Sequence, residues 1–348
     1  MVHSEPTPAE RAPKRDQSAL KPLSEPVTGT LLVNESDILA ITLPSLKESV
    51  AWKRTGSANA HSIAGPDLKG RVALVKNDMM ARRHWLLVID TVTGNETELF
   101  SRNGDALWGD NRGHHPVGEA LALSPTLGRL ALQVNLKAYQ ITNPPAYMDR
   151  GPIEIWDMAT RKRTLLPVDA LDAGLSWFPD GRRLAFTRLV TPREAGRLDP
   201  GTDGFMSDFV GGSDVPVISI LDIATGKVST LCPGWNPLVS DDGRWIVAGD
   251  YEQRWRIVEV ATGKSIPTTA KQQWSMPIAL FGNHHALCFA EQDNPGDKRY
   301  TEHNSPLVGP KDMPRIVFAQ LGSVNAQTVF RYIDPRWETA FGPGRVGK

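Results

Sequence analysis

Leu175-Ser176-Trp177-Phe178-Pro179-Asp180-Gly181-Arg182-Arg183-Leu184-Ala185-Phe186 is the stretch that decides the fold. An apolar strand runs into a tight polar turn, and a second apolar strand leaves it. Pro179 presets φ for the turn and Gly181 is free to take φ > 0, so the two strands close into a hairpin. The phrase recurs at 121–130, around Ser124-Pro125-Thr126-Leu127-Gly128-Arg129, and at 238–247, around Ser240-Asp241-Asp242-Gly243-Arg244. A fainter copy at 63–72 surrounds Pro66-Asp67-Leu68-Lys69-Gly70-Arg71. Residues 278–289 keep the strands but carry Gly282-Asn283-His284-His285 at the turn, where solvated histidines are expected.

A second phrase follows each copy: an alternating strand, an acid, a turn and another strand. Residues 217–222 precede Ala224-Thr225-Gly226-Lys227, and 257–260 precede Ala261-Thr262-Gly263-Lys264. Likewise 86–90 precede Val92-Thr93-Gly94-Asn95, and 153–157 precede Ala159-Thr160-Arg161-Lys162. The aspartate at the turn start accepts from backbone N–H groups ahead of it, and glycine suits the αL position that ends such a loop. Arg161 is the one misfit. Two hairpins per unit make a four-stranded antiparallel blade, and their repetition without helical periodicity predicts an all-β propeller.

Five full units begin near residues 61, 118, 174, 236 and 276. A partial unit precedes them, with strands at 30–33, 38–43 and 49–53 but no innermost strand. The C-terminal Trp337-Glu338-Thr339-Ala340-Phe341-Gly342-Pro343-Gly344-Arg345-Val346 has the form of the Trp177 phrase. It is expected to supply the inner strand of the first blade, beside 30–33, closing a ring of six blades and removing two open sheet edges. Residues 1–27 then read as a disordered leader and 28–348 as a single propeller domain.

The chain has 348 residues, with 39 basic and 39 acidic side chains, so no global field points to nucleic acid or an anionic membrane. No apolar run is long enough for a membrane-spanning helix. Cys232 and Cys288 lack metal-ligand spacing and fall in predicted strands, so buried free thiols are expected. The leader lacks the apolar block of a secretory signal. The compartment stays open: cytoplasmic if this N-terminus is native, periplasmic or secreted if a signal peptide precedes it. A monomer is expected.

The Trp177–Phe186 phrase resembles the repeat of TolB and of the propeller domains attached to prolyl-oligopeptidase-type peptidases. Ile155-Trp156-Asp157 also echoes the ending of WD repeats, which lack the Pro-Asp-Gly turn. The resemblance implies a TolB-like six-bladed propeller. By the way TolB binds its partner lipoprotein, it implies a non-catalytic module that takes a protein or small-molecule partner. No Gly-x-Ser-x-Gly elbow, phosphate-binding glycine loop or His-Glu-x-x-His helix is present, so no catalytic residue, metal ligand or cofactor is assigned. A second implication comes from oligogalacturonate lyases, TolB-like propellers that hold a divalent metal on channel-facing histidines. Here His114, His115 and His303, with Arg82, Arg112 and Arg197, would serve a metal-dependent lyase or hydrolase of an acidic sugar.

Strand order places the first and third turns of each blade on one face. The long segments 77–83, 101–116, 138–151, 189–214 and 291–313 are expected to crowd the other, upper face. Loops of that length in a compact domain are usually functional or disordered. The candidate contact residues there are Arg82, Arg83, His84, Arg112, His114, His115, Tyr139, Arg193, Asp199, Asp203, Asp208, Tyr251, Arg254, Asp293, Tyr300 and His303.

Overall fold

The computed structural model describes residues 27–34, 37–53, 59–78, 83–103, 114–140, 147–195, 214–249, 255–266, 276–282, 284–290, 315–320, 326–331 and 339–346. The strands come in runs. They begin with β1 (Val27–Asn34), β2 (Ile38–Leu43) and β3 (Lys47–Trp52), then β4 (Asn59–Ala64), β5 (Arg71–Asp78), β6 (Arg83–Asp90) and β7 (Glu96–Asn103). Next are β8 (His114–Leu123), β9 (Arg129–Gln140), β10 (Tyr147–Asp157), β11 (Arg163–Trp177) and β12 (Arg183–Val190). The short helix α1 (Pro192–Ala195) leads to β13 (Val215–Asp222), β14 (Val228–Pro233), β15 (Trp235–Val239), β16 (Trp245–Gly249), β17 (Trp255–Glu259) and β18 (Ser265–Ile266). Last are β19 (Met276–Leu280), β20 (His285–Ala290), β21 (Arg315–Gln320), β22 (Ala326–Arg331) and β23 (Thr339–Val346).

Every pairing between these strands is antiparallel, in a propeller-like arrangement of sheets. Four sheets have four strands each: β23-β1-β2-β3, β4-β5-β6-β7, β15-β16-β17-β18 and β19-β20-β21-β22. The fifth has seven, in the order β14-β13-β12-β11-β10-β9-β8. The expectation of six separate four-stranded blades is corrected here: among the described residues four sheets are four-stranded blades and the fifth is not. Strand β11 runs unbroken from Arg163 to Trp177, pairing β10 through its first part and β12 through its last, with a register shift between Ala170 and Leu175.

The two halves of that long sheet nevertheless face each other. Ala122, Ala131 and Ile155 pack against Leu175, Trp177, Leu184 and Phe186 in one buried cluster. The other buried clusters also lie between successive sheets, such as Leu32, Ile38 and Trp52 against Val72, Leu74 and Ile89. Phe178 and Ile218 meet Ile246 and Val258, and Val33 and Ile41 meet Phe281 and Phe318. The strands are apolar on both faces because each is sandwiched between two neighbours, which is why their sequences read as near-continuous apolar runs. Cys232 and Cys288 are buried and not joined in a disulfide, as expected, and burial pushes the Cys288 thiol up to about 12.

The C-terminal segment takes the place expected of it. Leu31 pairs with Phe341, Leu32 with Ala340 and Val33 with Thr339. Strand β1 starts at Val27, which is fully buried. Contacts between first strands run in a closed cycle: β23 to β4, β4 to β8, β8 to β11, β11 to β15, β15 to β19 and β19 back to β23.

The first and third turns share a face, as strand order required. Thr91 N–H donates to the Gly70 carbonyl, Met158 to Gly128, Ile223 to Arg182 and Val260 to Arg244. Gly181 takes φ 65°, and a Cβ there would press on Leu127, Ser124 and Thr126 of the neighbouring turn. Arg161 adopts φ 55° without being glycine, its turn being otherwise identical in form. The turn histidines differ from expectation: His284 sits edge-on to Trp245 at 4.5 Å, and His285 stacks on Phe318 at 5.0 Å, both only partly exposed. They face aromatic neighbours in this sheet and the one before it, where other turns carry small or polar residues.

Strand pairing also extends further than the sequence suggested at the opposite ends. Arg83 and His84 belong to β6, 114–116 to β8, 138–140 to β9 and 147–151 to β10. The continuing ladders Asp78↔Arg83 and Gln140↔Tyr147 account for this, because polar strand ends satisfy their backbone groups across the hairpin whatever their side chains.

Gly342 is the tightest joint of the closure. A Cβ at this position would collide with the Pro66 carbonyl of the next sheet. Gly342→Ala is therefore expected to lower stability by about 1–3 kcal/mol in urea unfolding, a typical overpacking cost. A change below about 0.5 kcal/mol would mean that the C-terminal strand does not hold this position in solution.

Candidate functional site

The first strands of the cycle enclose a cavity of about 360 Å³ on the axis of the sheets. Its wall mixes polar and apolar surface; the apolar side chains include Ile63 from β4, Leu121 from β8, Leu175 from β11, Leu238 from β15, Ile278 from β19 and Phe341 from β23. Leu68, Pro125, Pro179, Asp241 and Phe281, all in first turns, also line it. The cavity therefore lies at the tight-turn end.

The polar groups on this wall are few and mostly committed. Trp177 Nε1–H donates to the Ala122 carbonyl at 3.0 Å, tying two first strands together. Ser176 Oγ accepts from Val239 N–H at 3.0 Å. The Thr126 hydroxyl donates to the Pro179 carbonyl at 3.3 Å. Ser240 Oγ donates to Asp242 Oδ1 at 2.6 Å and accepts from Trp245 N–H at 3.0 Å, so it serves its own turn. Asp241 is the one charged side chain among the lining residues.

The hydrogen bonds of the first turns give their true alignment. Asp67 N–H donates to Arg71 O, Ser124 to Arg129 O, Phe178 to Arg183 O, Ser240 to Trp245 O and Phe281 to His285 O. These five residues are equivalent, so the next positions along are Leu68, Pro125, Pro179, Asp241 and Gly282. Asp241 thus stands where two sister turns have proline. The turn's own aspartate is Asp242, which accepts from Arg244 N–H at 3.0 Å, as Asp180 accepts from Arg182 N–H at 2.8 Å. Asp241 instead reaches across to the next sheet. Its Oδ1 accepts from Gly282 N–H at 2.8 Å, and its own N–H donates to the Leu280 carbonyl at 3.1 Å. Burial raises the pKa of this carboxyl, the Gly282 bond opposes that, and the charge of Asp242 adds to it, leaving the group above the usual range.

The third-turn carboxylates move the other way. Backbone N–H bonds from Thr93 and Val92 hold Asp90 low, while the backbone N–H and hydroxyl of Thr160 do so for Asp157, and those of Thr225 for Asp222. These bonds set the loop conformation beside the cavity end.

No protein family matches the chain, and no curated protein sequence matches it. Solved structures do. TolB from Acinetobacter baumannii is similar at 15% identity with a TM-score of 0.52, over 92% of this chain and 67% of that one. The fold is a β-propeller. An oligogalacturonate lyase in complex with manganese aligns at 11% identity and a TM-score of 0.48, over 82% of this chain and 71% of that one.

Of the sequence-chosen contact residues, Arg83, His84 and Arg193 are described with their side chains, and none of the three lines this cavity. Arg83 is exposed at the start of β6, 2.6 Å from the Ser101 hydroxyl and 5.2 Å over the Trp85 ring. His84 is buried, at 2% exposure. His114 and His115 stand opposite Lys137 and Leu136 in the β8–β9 ladder, and Tyr139 opposite Met148. Arg193 is exposed on α1. Arg82, Arg112, Asp199, Asp203, Asp208, Tyr251, Arg254, Asp293, Tyr300 and His303 fall outside the described residues. Among the described residues no three His, Cys, Asp or Glu side chains converge to hold a metal ion. What sequence reasoning missed is Asp241. The signal was a charge at a position held elsewhere by proline, which shows only once the turns are aligned by their hydrogen bonds.

Two titration outcomes follow. The third-turn aspartates have folded pKa values below the unfolded value of about 3.9. Their contribution is present above that pH and lost as pH falls through it. Urea midpoints should fall steeply below about pH 4, and Asp157→Asn with Asp222→Asn should flatten that slope. Asp241 has the opposite sign: its raised pKa makes the ionised form a cost that is fully present near neutrality. Asp241→Asn keeps an acceptor for Gly282 N–H, so its melting temperature at pH 7 should equal or exceed that of the wild type. A clear drop would mean that the carboxylate is paired in solution.

Proposed function

We propose that this chain is a six-bladed, TolB-like propeller that binds a protein or small-molecule partner without catalysing a reaction, using the connections opposite its tight-turn face. The count of six treats the seven-stranded sheet as two blades fused through β11. The closed cycle of first strands and the packing of that sheet's two halves against each other support this count. The TolB-like fold supports the reading by likeness of architecture alone, since one fold hosts many functions.

The carrying observation is the asymmetry between the two ends of the strands. At one end the turns are short and bonded to each other across blades, as in Leu68 N–H to Pro125 O and Asp241 N–H to Leu280 O. At the other, β12 and β13 are joined by 191–214 and β20 and β21 by 291–314, far more chain than their neighbouring strand ends need for closure. Arg83 over Trp85, with Lys76 on the same ring at 5.3 Å, gives that end an exposed cationic and aromatic group of the kind interfaces use.

Replacing 196–213 by a short Gly-Ser linker leaves Ala195 buried and the Arg188–Glu194 pair of 2.8 Å in place. Affinity capture with this variant should lose the partner retained by the wild type, at an unchanged melting temperature. Retention of that partner at wild-type strength overturns the use of this end. A single tightly bound Mn²⁺ equivalent in untagged protein, lost in His114→Ala with His115→Ala, would instead favour metal-dependent chemistry on an acidic sugar.

A further inference from the structure

We propose that the axial cavity binds a small organic cation, an ammonium or guanidinium carried on an apolar stem, with Asp241 as its counter-charge. This site lies at the end away from the long connections and does not depend on them.

Three observations converge on it. The first is chemical composition: among the described residues on the wall, aliphatic, aromatic, hydroxyl and small side chains surround a single ionisable group. A cavity of about 360 Å³ is large enough for a small ligand. The second is that closure of the turn does not need this charge. The equivalent turns close with Leu68, Pro125, Pro179 and Gly282 at the same position, and the turn aspartate of this blade is the following residue, Asp242. The third is the incomplete pairing of the carboxylate. Backbone N–H groups face the carboxylate, that of Gly282 on Oδ1 at 2.8 Å with lesser contributions from Asp242 and Asp241 itself, and no cationic side chain among the described residues pairs with it. A partly buried carboxylate is costly unless a cation or donors complete it.

The geometry also selects the ligand's shape. A cationic head at Asp241 would leave its stem against Leu238, Ile278 and Phe341, where apolar area is buried. Ser176 Oγ, also on the wall, already accepts from Val239 N–H, so its own hydroxyl proton remains to offer a ligand acceptor. An anionic ligand would meet like charge with no compensating base among the lining residues.

The test uses the full chain at pH 7 and three matched probes in isothermal titration: 2-phenylethylamine, 2-phenylethanol and 3-phenylpropionate. The amine should bind, the alcohol at least about tenfold more weakly, and the acid weakest of all, as expected when one charge-assisted bond separates the probes. Asp241→Asn should weaken the amine by at least about tenfold while leaving the alcohol unchanged. Equal binding of amine and alcohol by the wild type overturns the proposal without recourse to any variant. So does amine binding that survives Asp241→Asn, or the absence of amine binding at millimolar concentration. A lysine-bearing peptide that binds where the free amine does not would assign the carboxylate to a protein partner and overturn the small-ligand reading. The 196–213 replacement should leave the amine affinity as it was, which separates this site from the opposite end.

Discussion

The pairing of β1 with β23 is the constraint on which the rest depends. Sheets packed face to face around an axis are stable only if no wedge is left with one wall. Without β23, Val33 and Ile41 would face the last sheet across an unfilled inner position, and both β1 and the axial end of β19 would be open. The ladder from Val27↔Val346 to Val33↔Thr339 fills that place with the last strand of the chain. Phe341 then meets Phe281 edge-on at 5.7 Å, joining the C-terminus to the last sheet. Closure links residues that are more than three hundred positions apart, a long loop whose entropic cost grows only slowly with length.

The same geometry accounts for β11. A blade-to-blade crossing ordinarily leaves one sheet and enters another through a connection. Here the crossing runs through 170–175 with a register shift: the ladders pause over 172–174 while the strand itself continues from one half of the sheet into the other. Ala170 pairs with Arg188 before the shift and Leu175 with Phe186 after it. Gly174, at φ 85°, provides the turn, and a side chain there would press on Asn236 of the next inner strand.

Turn chemistry was readable from the sequence because it is local. Proline, aspartate and glycine at fixed spacing dictate a hairpin whatever surrounds it, and Asp180, Asp157 and Asp222 make the backbone bonds their positions implied. The C-terminal strand was readable for the same reason, as a copy of the Trp177 phrase. Alignment between turns was less secure. Asp67 looks like the partner of Asp180, yet its hydrogen bonds make it the equivalent of Phe178, with its carboxylate buried against Arg71. Strand ends with polar side chains, such as Asp78↔Arg83, were read as loops because their pairing is a backbone matter that composition does not report.

That one-residue ambiguity is what hid Asp241. Read by composition, Ser240-Asp241-Asp242-Gly243-Arg244 has an aspartate to spare at a polar turn, where a second acid is unremarkable. Read by hydrogen bonds, one acid closes the turn and the other is delivered to the axis. Turn closure tolerates proline, leucine or glycine at that position, so local folding does not select the charge. Packing asks only for an acceptor there, to take the Gly282 N–H of the next sheet, and a neutral side chain supplies that as well. A group that neither local structure nor burial favours, held at the convergence point of several inner strands, is the pattern expected where stability yields to binding. The tight-turn face therefore reads as more than a trimmed base, and the two ends of the axis are set apart by chemistry: chain length at one, a single carboxylate on the wall of the axial cavity at the other.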